Sequence, residues 1–126
     1  MNKEIPTKTK VVVIGGGVAG CSVAYHLAKF GWKDTILLER DQLTSGTTWH
    51  AAGLVGQLGA SSTITRLRKY SLQLYKDLEK KTGLSTGLKQ NGAITVATSK
   101  ERLQELLRQA TAAQLFDVNV EVLNKK

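Results

Sequence analysis

Gly15, Gly17 and Gly20 follow a run of β-branched residues and precede a helical pattern, giving the spacing G-x-G-x-x-G. Each glycine has its own task at such a junction. Gly15 permits the tight turn, Gly17 lets the backbone approach a pyrophosphate, and Gly20 lets helix and strand pack closely. The helix that begins here offers unpaired N–H groups and the positive end of its dipole to phosphate oxygens. A glycine triplet alone is weak evidence, because Gly-rich turns are common. Glu39 strengthens it: nineteen residues after Gly20, it closes a second apolar run, Thr-Ile-Leu-Leu-Glu. A carboxylate there can accept hydrogen bonds from ribose hydroxyls, and the combination marks a dinucleotide site.

An acid at Glu39 disfavours a 2′-phosphate, and with it NADP, despite the adjacent Arg40. An NAD domain normally continues into another helix and a third buried strand. This chain continues into the loop Thr44-Ser45-Gly46-Thr47-Thr48-Trp49-His50-Ala51-Ala52-Gly53. Its short hydroxyl side chains and exposed N–H groups suit the second phosphate and ribitol of a longer, extended cofactor, which favours FAD. From its loop position alone His50 reads as a polar loop residue, and Trp49 as packing. His26, between Tyr25 and Leu27, reads as structural or surface.

The elements that must position these residues follow from periodicity. Thr9 to Gly15 predicts a buried strand, with Val11, Val12, Val13 and Ile14 as a continuous apolar run. Val18 to Phe30 predicts a helix stopped by Gly31, and Thr35 to Glu39 a second buried strand. Together they form a strand–helix–strand unit of α/β class, Rossmann-like. A Gly/Ser/Thr/Ala-rich loop runs from Asp41 to Ser62. A second helix spans Ser62 to Lys81, with Ile64, Leu67, Leu74, Tyr75 and Leu78 on one face, and is closed by Gly83. Gly92 to Thr98 predicts a strand. Leu103, Leu106, Leu107 and Ala110 predict a third helix capped by Ser99 or Thr98. Val118, Val120 and Val122 alternate as in a half-buried strand. The expected organisation is a tail at 1–9, the N-terminal part of a cofactor-binding domain at 10–87, and the start of an α+β substrate domain at 88–126.

Composition limits the alternatives. The 126 residues are 41% hydrophobic and 22% charged, as in a globular protein, and no apolar run approaches the roughly 20 residues needed to cross a bilayer. Met1 to Lys10 is polar, without a hydrophobic signal core or an Arg-rich transit pattern, so a cytoplasmic protein without a membrane partner is expected. The net charge of +8 is spread over Lys8, Lys10, Arg66, Lys69, Lys80, Lys100, Arg108 and Lys125 without aromatic interleaving. That argues for a solvated surface and against a nucleic-acid partner. Cys21 is the only cysteine; it reads as a small buried thiol, and no metal-ligand spacing surrounds it.

The elements Gly-Gly-Gly-Val-Ala-Gly, Leu-Leu-Glu-Arg and Leu-Thr-Ser-Gly-Thr-Thr-Trp-His-Ala-Ala-Gly resemble the dimethylglycine/sarcosine dehydrogenase family, which belongs to the D-amino-acid-oxidase-like FAD oxidoreductases. The likeness continues through Leu74-Tyr75, Glu79, Thr82-Gly83 and Gln90-Asn91-Gly92. Thr-Trp-His-Ala-Ala-Gly is its most specific part. The resemblance implies FAD contacts at Val18, Ala19, Glu39 and Arg40 and along Gly46, Thr47, Thr48, Trp49, His50, Ala51, Ala52, Gly53 and Leu54, with His50 bonded to the flavin 8α-methyl. It also implies oxidation of the N-methyl carbon of a glycine derivative by hydride transfer. Electrons would pass to an acceptor such as an electron-transfer flavoprotein, and tetrahydrofolate would act in a C-terminal part. Family members are several times longer, so the chain is expected to be an N-terminal fragment. It contains no catalytic residue that the resemblance assigns. A non-catalytic FAD-binding regulatory relative and an NAD-binding domain are the competing readings. A mitochondrial matrix location would apply in a eukaryote.

Overall fold

A computed structural model of the chain describes residues 6–123, so the tail expected at 1–9 and the end of the chain from 124 lie partly or wholly outside the described residues. The chain divides into two compact units, Met1–Leu54 and Val55–Lys126. In the first, strand β1 (Val11–Ile14) and strand β2 (Thr35–Leu38) flank helix α1 (Val18–Lys29) in sequence. The strands pair in parallel, Val11 opposite Thr35 and Ile14 opposite Leu38. The ladder extends into the glycine turn, where the Gly15 N–H donates to Leu38 O at 2.8 Å. Helix α1 packs against both strands. It ends where expected: Gly31 takes φ +86° and donates to Ala28 O at 3.0 Å, a left-handed stop that costs glycine little.

The strands are shorter than the expected Thr9 to Gly15 and Thr35 to Glu39, and only one of their faces is covered. Val13 is buried, at 9% exposure, whereas Val12 and Ile14 are 49% and 86% exposed. The continuous run reads as a strand buried on both sides. Parallel sheets reach that state only with a layer on each face, and this unit supplies one helix. The open face carries a hollow of about 500 Å³ bordered by Val12, Ile36 and Leu38.

The second unit holds helices α2 (Ser62–Thr82) and α3 (Lys100–Gln114). Ser61 caps α2 by accepting the Ile64 N–H at 3.3 Å, and Ser99, not Thr98, caps α3 by accepting the Arg102 N–H at 3.2 Å. Gly83 closes α2 in the left-handed region, at φ +69°. Buried Thr65 donates its hydroxyl to Ser61 O and accepts the Gly59 N–H, and the Lys69 ammonium donates to Phe116 O. The strands expected at 92–98 and 118–122 form no ladder among the described residues. Ile94 and Val96 are 85% and 70% exposed. Alternation marks which side chains share a face. A strand also needs a partner for its backbone groups, and none pairs with these segments.

Candidate cofactor site

The glycine turn between β1 and α1 has a geometry that only glycine fits at two positions. Gly15 sits at φ +100°, outside the range L-residues adopt without strain. A Cβ on Gly20 would lie 1.8 Å from Gly15 O and 3.0 Å from Gly15 C. The first turn of α1 therefore rests directly on the backbone of the preceding turn, the close approach expected of the third glycine. Gly17 is the N-cap of α1 and offers no side-chain cap. The N–H groups of Val18, Ala19 and Gly20 have no intrahelical acceptor.

Glu39 follows β2, half-buried, with both carboxylate oxygens occupied by backbone donors. Oε2 accepts the Gly16 N–H at 2.6 Å, and Oε1 accepts the N–H groups of Arg40 at 2.8 Å and Asp41 at 3.2 Å. The Gly16 N–H, then the Asp41 N–H, hold the carboxyl below its ordinary value of 4.5, because they stabilise the charged form. A carboxylate has about four acceptor positions, so capacity remains for a ribose hydroxyl. Arg40 is exposed.

Gly16 is the residue that sequence reasoning missed. It is buried; its N–H binds Glu39, and its carbonyl accepts the Thr44 N–H at 2.9 Å and the Cys21 thiol at 3.3 Å. A Cβ there would lie 2.5 Å from Leu43 Cδ2 and 3.0 Å from Glu39 Cβ. The signal available was the uninterrupted Gly-Gly-Gly at 15–17, of which the motif counts only two. Cys21 is half-buried, less enclosed than expected, and its thiol serves this hub.

The Thr-Trp-His element forms a short 3₁₀ turn, Thr47–His50. Gly46 precedes it, and Ala51, Ala52, Gly53 and Leu54 lead away exposed, with Gly53 at φ +69°. The Thr48 hydroxyl accepts the Val18 N–H at 2.9 Å. The Trp49 indole N–H donates to Ser45 O at 3.0 Å, and the His50 ring lies against the indole, centroids 3.9 Å apart and planes 30° from parallel. The geometry thus brings Glu39 to Gly16, and Thr48 to the start of α1. It leaves Trp49 and His50 at the surface of this unit.

These features fit a bound dinucleotide cofactor. Glycines replace side chains where a Cβ would fill the turn, the N–H groups of Ala19 and Gly20 have no intrahelical acceptor, and an acid stands at the end of β2. No group of three or more His, Cys, Asp or Glu residues suited to a metal occurs among the described residues. No helix there is long and apolar enough to cross a membrane.

A glycine turn between β1 and α1 with an acid after β2 is the arrangement of dinucleotide-binding domains. The family follows from comparison: residues 10–126 match the FAD dependent oxidoreductase (DAO) family, and the chain belongs to it. It is 44% identical to mitochondrial sarcosine dehydrogenase of Mus musculus over 124 residues, covering 98% of this chain and 14% of that protein. It is also 44% identical to mitochondrial dimethylglycine dehydrogenase of Rattus norvegicus over 108 residues, 86% of this chain and 13% of that one. Among solved structures, glycine oxidase from Geobacillus kaustophilus matches with a TM-score of 0.66 and 28% identity, covering 90% of this chain and 32% of that one. The chain therefore spans about one seventh of the length of the curated relatives it matches.

Proposed function

We propose that this chain is the FAD-holding front part of an oxidoreductase that demethylates an N-methylated glycine derivative of the sarcosine or dimethylglycine type. One observation carries the reading. The glycine turn, Glu39 and the Thr-Trp-His turn belong to one compact unit and are joined by the Val18–Thr48 and Gly16–Glu39 hydrogen bonds. Family membership and the substrates named for the relatives support it. Residues 10–87 would belong to the FAD-binding domain and 88–126 would begin the substrate domain.

Bound FAD would supply a two-electron acceptor for the N-methyl carbon, which loses a hydride. The chain's own residues would do the holding. Gly15, Gly17 and Gly20 leave room for the pyrophosphate against the start of α1, where Ala19 offers an N–H donor beside Val18, whose own N–H is held by Thr48. Glu39 accepts from the adenosine ribose through its remaining lone pairs. The stretch from Gly46 to Leu54 would hold the flavin half. His50 would be the tether, its imidazole nitrogen bonded to the flavin 8α-methyl carbon in place of one methyl C–H and the imidazole N–H, with dioxygen as the oxidant that would take the two electrons and two protons. Small Ala51, Ala52 and Gly53 leave space for the ring. The substrate electrons would go to an electron-transfer flavoprotein, and tetrahydrofolate would take the one-carbon unit elsewhere in the protein. Location would be the cytoplasm, or the mitochondrial matrix in a eukaryotic host.

The test is turnover by the whole purified protein with sarcosine, dimethylglycine and unmethylated glycine, read by dye reduction and formaldehyde release. Formaldehyde from a methylated substrate alone supports the reading. No reduction by any N-methyl glycine derivative overturns the substrate class while leaving the FAD site standing.

A further inference from the structure

Helix α1 begins without a capping side chain of its own, since its N-cap is Gly17. Such a terminus usually borrows its cap from Ser, Thr, Asp or Asn at the N-cap position itself. Here the cap comes from far along the chain: the Thr48 hydroxyl accepts the Val18 N–H at 2.9 Å. The absence of a side chain at position 17 leaves room for the contact, because a Cβ on Gly17 would lie 3.1 Å from Thr48 Oγ1, tighter than ordinary packing. Thr48 is half-buried, whereas Trp49 is 68% exposed.

The same residue closes the turn that carries the histidine. The Ala51 N–H donates to Thr48 O at 3.2 Å, so Thr48 is bonded to α1 through its side chain and to the far side of the turn through its backbone. Trp49 supplies a second hold through Ser45 O, and its indole backs the His50 ring. His50 is thus positioned through its two preceding residues.

We infer that Thr48 is a positioning residue for flavin attachment at His50. Its hydroxyl caps α1 from outside the helix and fixes the 3₁₀ turn against the phosphate-binding end of that helix. This rests on the proposed tether at His50 and goes beyond a contact between Thr48 and the cofactor. Thr48→Val keeps the shape and removes the acceptor; Thr48→Ser keeps the hydroxyl.

Flavin-free whole protein is mixed with FAD, and total bound flavin and acid-precipitable flavin are followed separately over time. Thr48→Val should attach flavin about five- to tenfold more slowly, the size expected of one lost hydrogen bond, with a smaller change in capture. Thr48→Ser should restore the parent rate. Attachment by Thr48→Val at the parent rate overturns the inference. So does an equal fall in capture and attachment, which would make Thr48 only a cofactor contact. Amide hydrogen exchange on the flavin-free protein separates this failure from failure of the tether. Thr48→Val, and not Thr48→Ser, should speed exchange at Val18 and across residues 46–51, and unchanged exchange overturns the capping role even if no parent flavin is acid-stable.

Discussion

Replacing Gly20 with alanine sets two effects of opposite sign against each other. Gly20 lies within α1, and alanine in a helix interior is favoured over glycine by about 0.5–1 kcal/mol. The added Cβ, however, would stand 1.8 Å from Gly15 O. Restoring even a 3.0 Å contact requires helix and turn to separate by roughly 1.2 Å, far from the usual packing distance. The obstacle is backbone, which cannot rotate aside as a flexible side chain can. Overpacking of this kind costs about 1–3 kcal/mol, so the net loss is about 0–2.5 kcal/mol, and an obstacle made of backbone puts it toward the upper end. The same displacement moves the turn that should receive the phosphates, so FAD affinity should fall about tenfold for each 1.4 kcal/mol lost there. Denaturant melts of the flavin-free whole protein and FAD titration measure the two effects. Gly56→Ala is the control: its Cβ meets nothing within 4 Å, and it should stay within about 0.5 kcal/mol of the parent. A Gly20→Ala protein with raised stability and parent FAD affinity would show that propensity wins and would refute the close-packing argument.

Gly15→Ala should also destabilise, by about 1–3 kcal/mol, through its φ of +100° and without a clash, since open space surrounds its Cβ position. A neutral melt would contradict that. The Glu39 carboxyl is held below 4.5 by the Gly16 N–H first; a depressed folded value gives stability present above the unfolded value and lost as pH falls through the folded one. In a His50→Ala whole protein, where no covalent bond would hold the cofactor, flavin retention should therefore fall below pH 4.5. Glu39→Gln should bind FAD more weakly at neutral pH and lose that acid-dependent step, which fluorescence of released flavin reads. Glu105, pulled down to about 2 mainly by the Arg108 guanidinium at 2.8 Å, is a solvated surface pair. Glu105→Gln should leave FAD binding unchanged, and a large loss would place a function on α3.

The strand–helix–strand unit was legible because every local signal agreed. Val11–Ile14 gave the strand, Gly31 the helix stop, and Glu39 the end of the second strand. Glu39 illustrates the limit of that reading. Position and charge foretold an acceptor, while its three backbone donors, led by Gly16, depend on how the turn folds back. Gly16 itself was hidden because the motif treats position 16 as free. The Val18–Thr48 bond spans thirty residues, a separation that no periodicity records. The segments at 92–98 and 118–122 show the converse: β-branched alternation was plain, but pairing is set by a partner that local sequence does not name. Helix ends fared better, because Gly31, Gly83 and Ser99 act on neighbouring backbone groups alone.

On the proposed function, this chain holds FAD with His50 as its covalent anchor. Acid precipitation of the purified whole protein, followed by trypsin digestion and mass spectrometry of the peptide spanning residues 41–66, tests it most directly. Yellow, fluorescent precipitated protein and one flavin mass on His50 are expected. Flavin that washes out freely, or an added mass mapped to another residue, would contradict it.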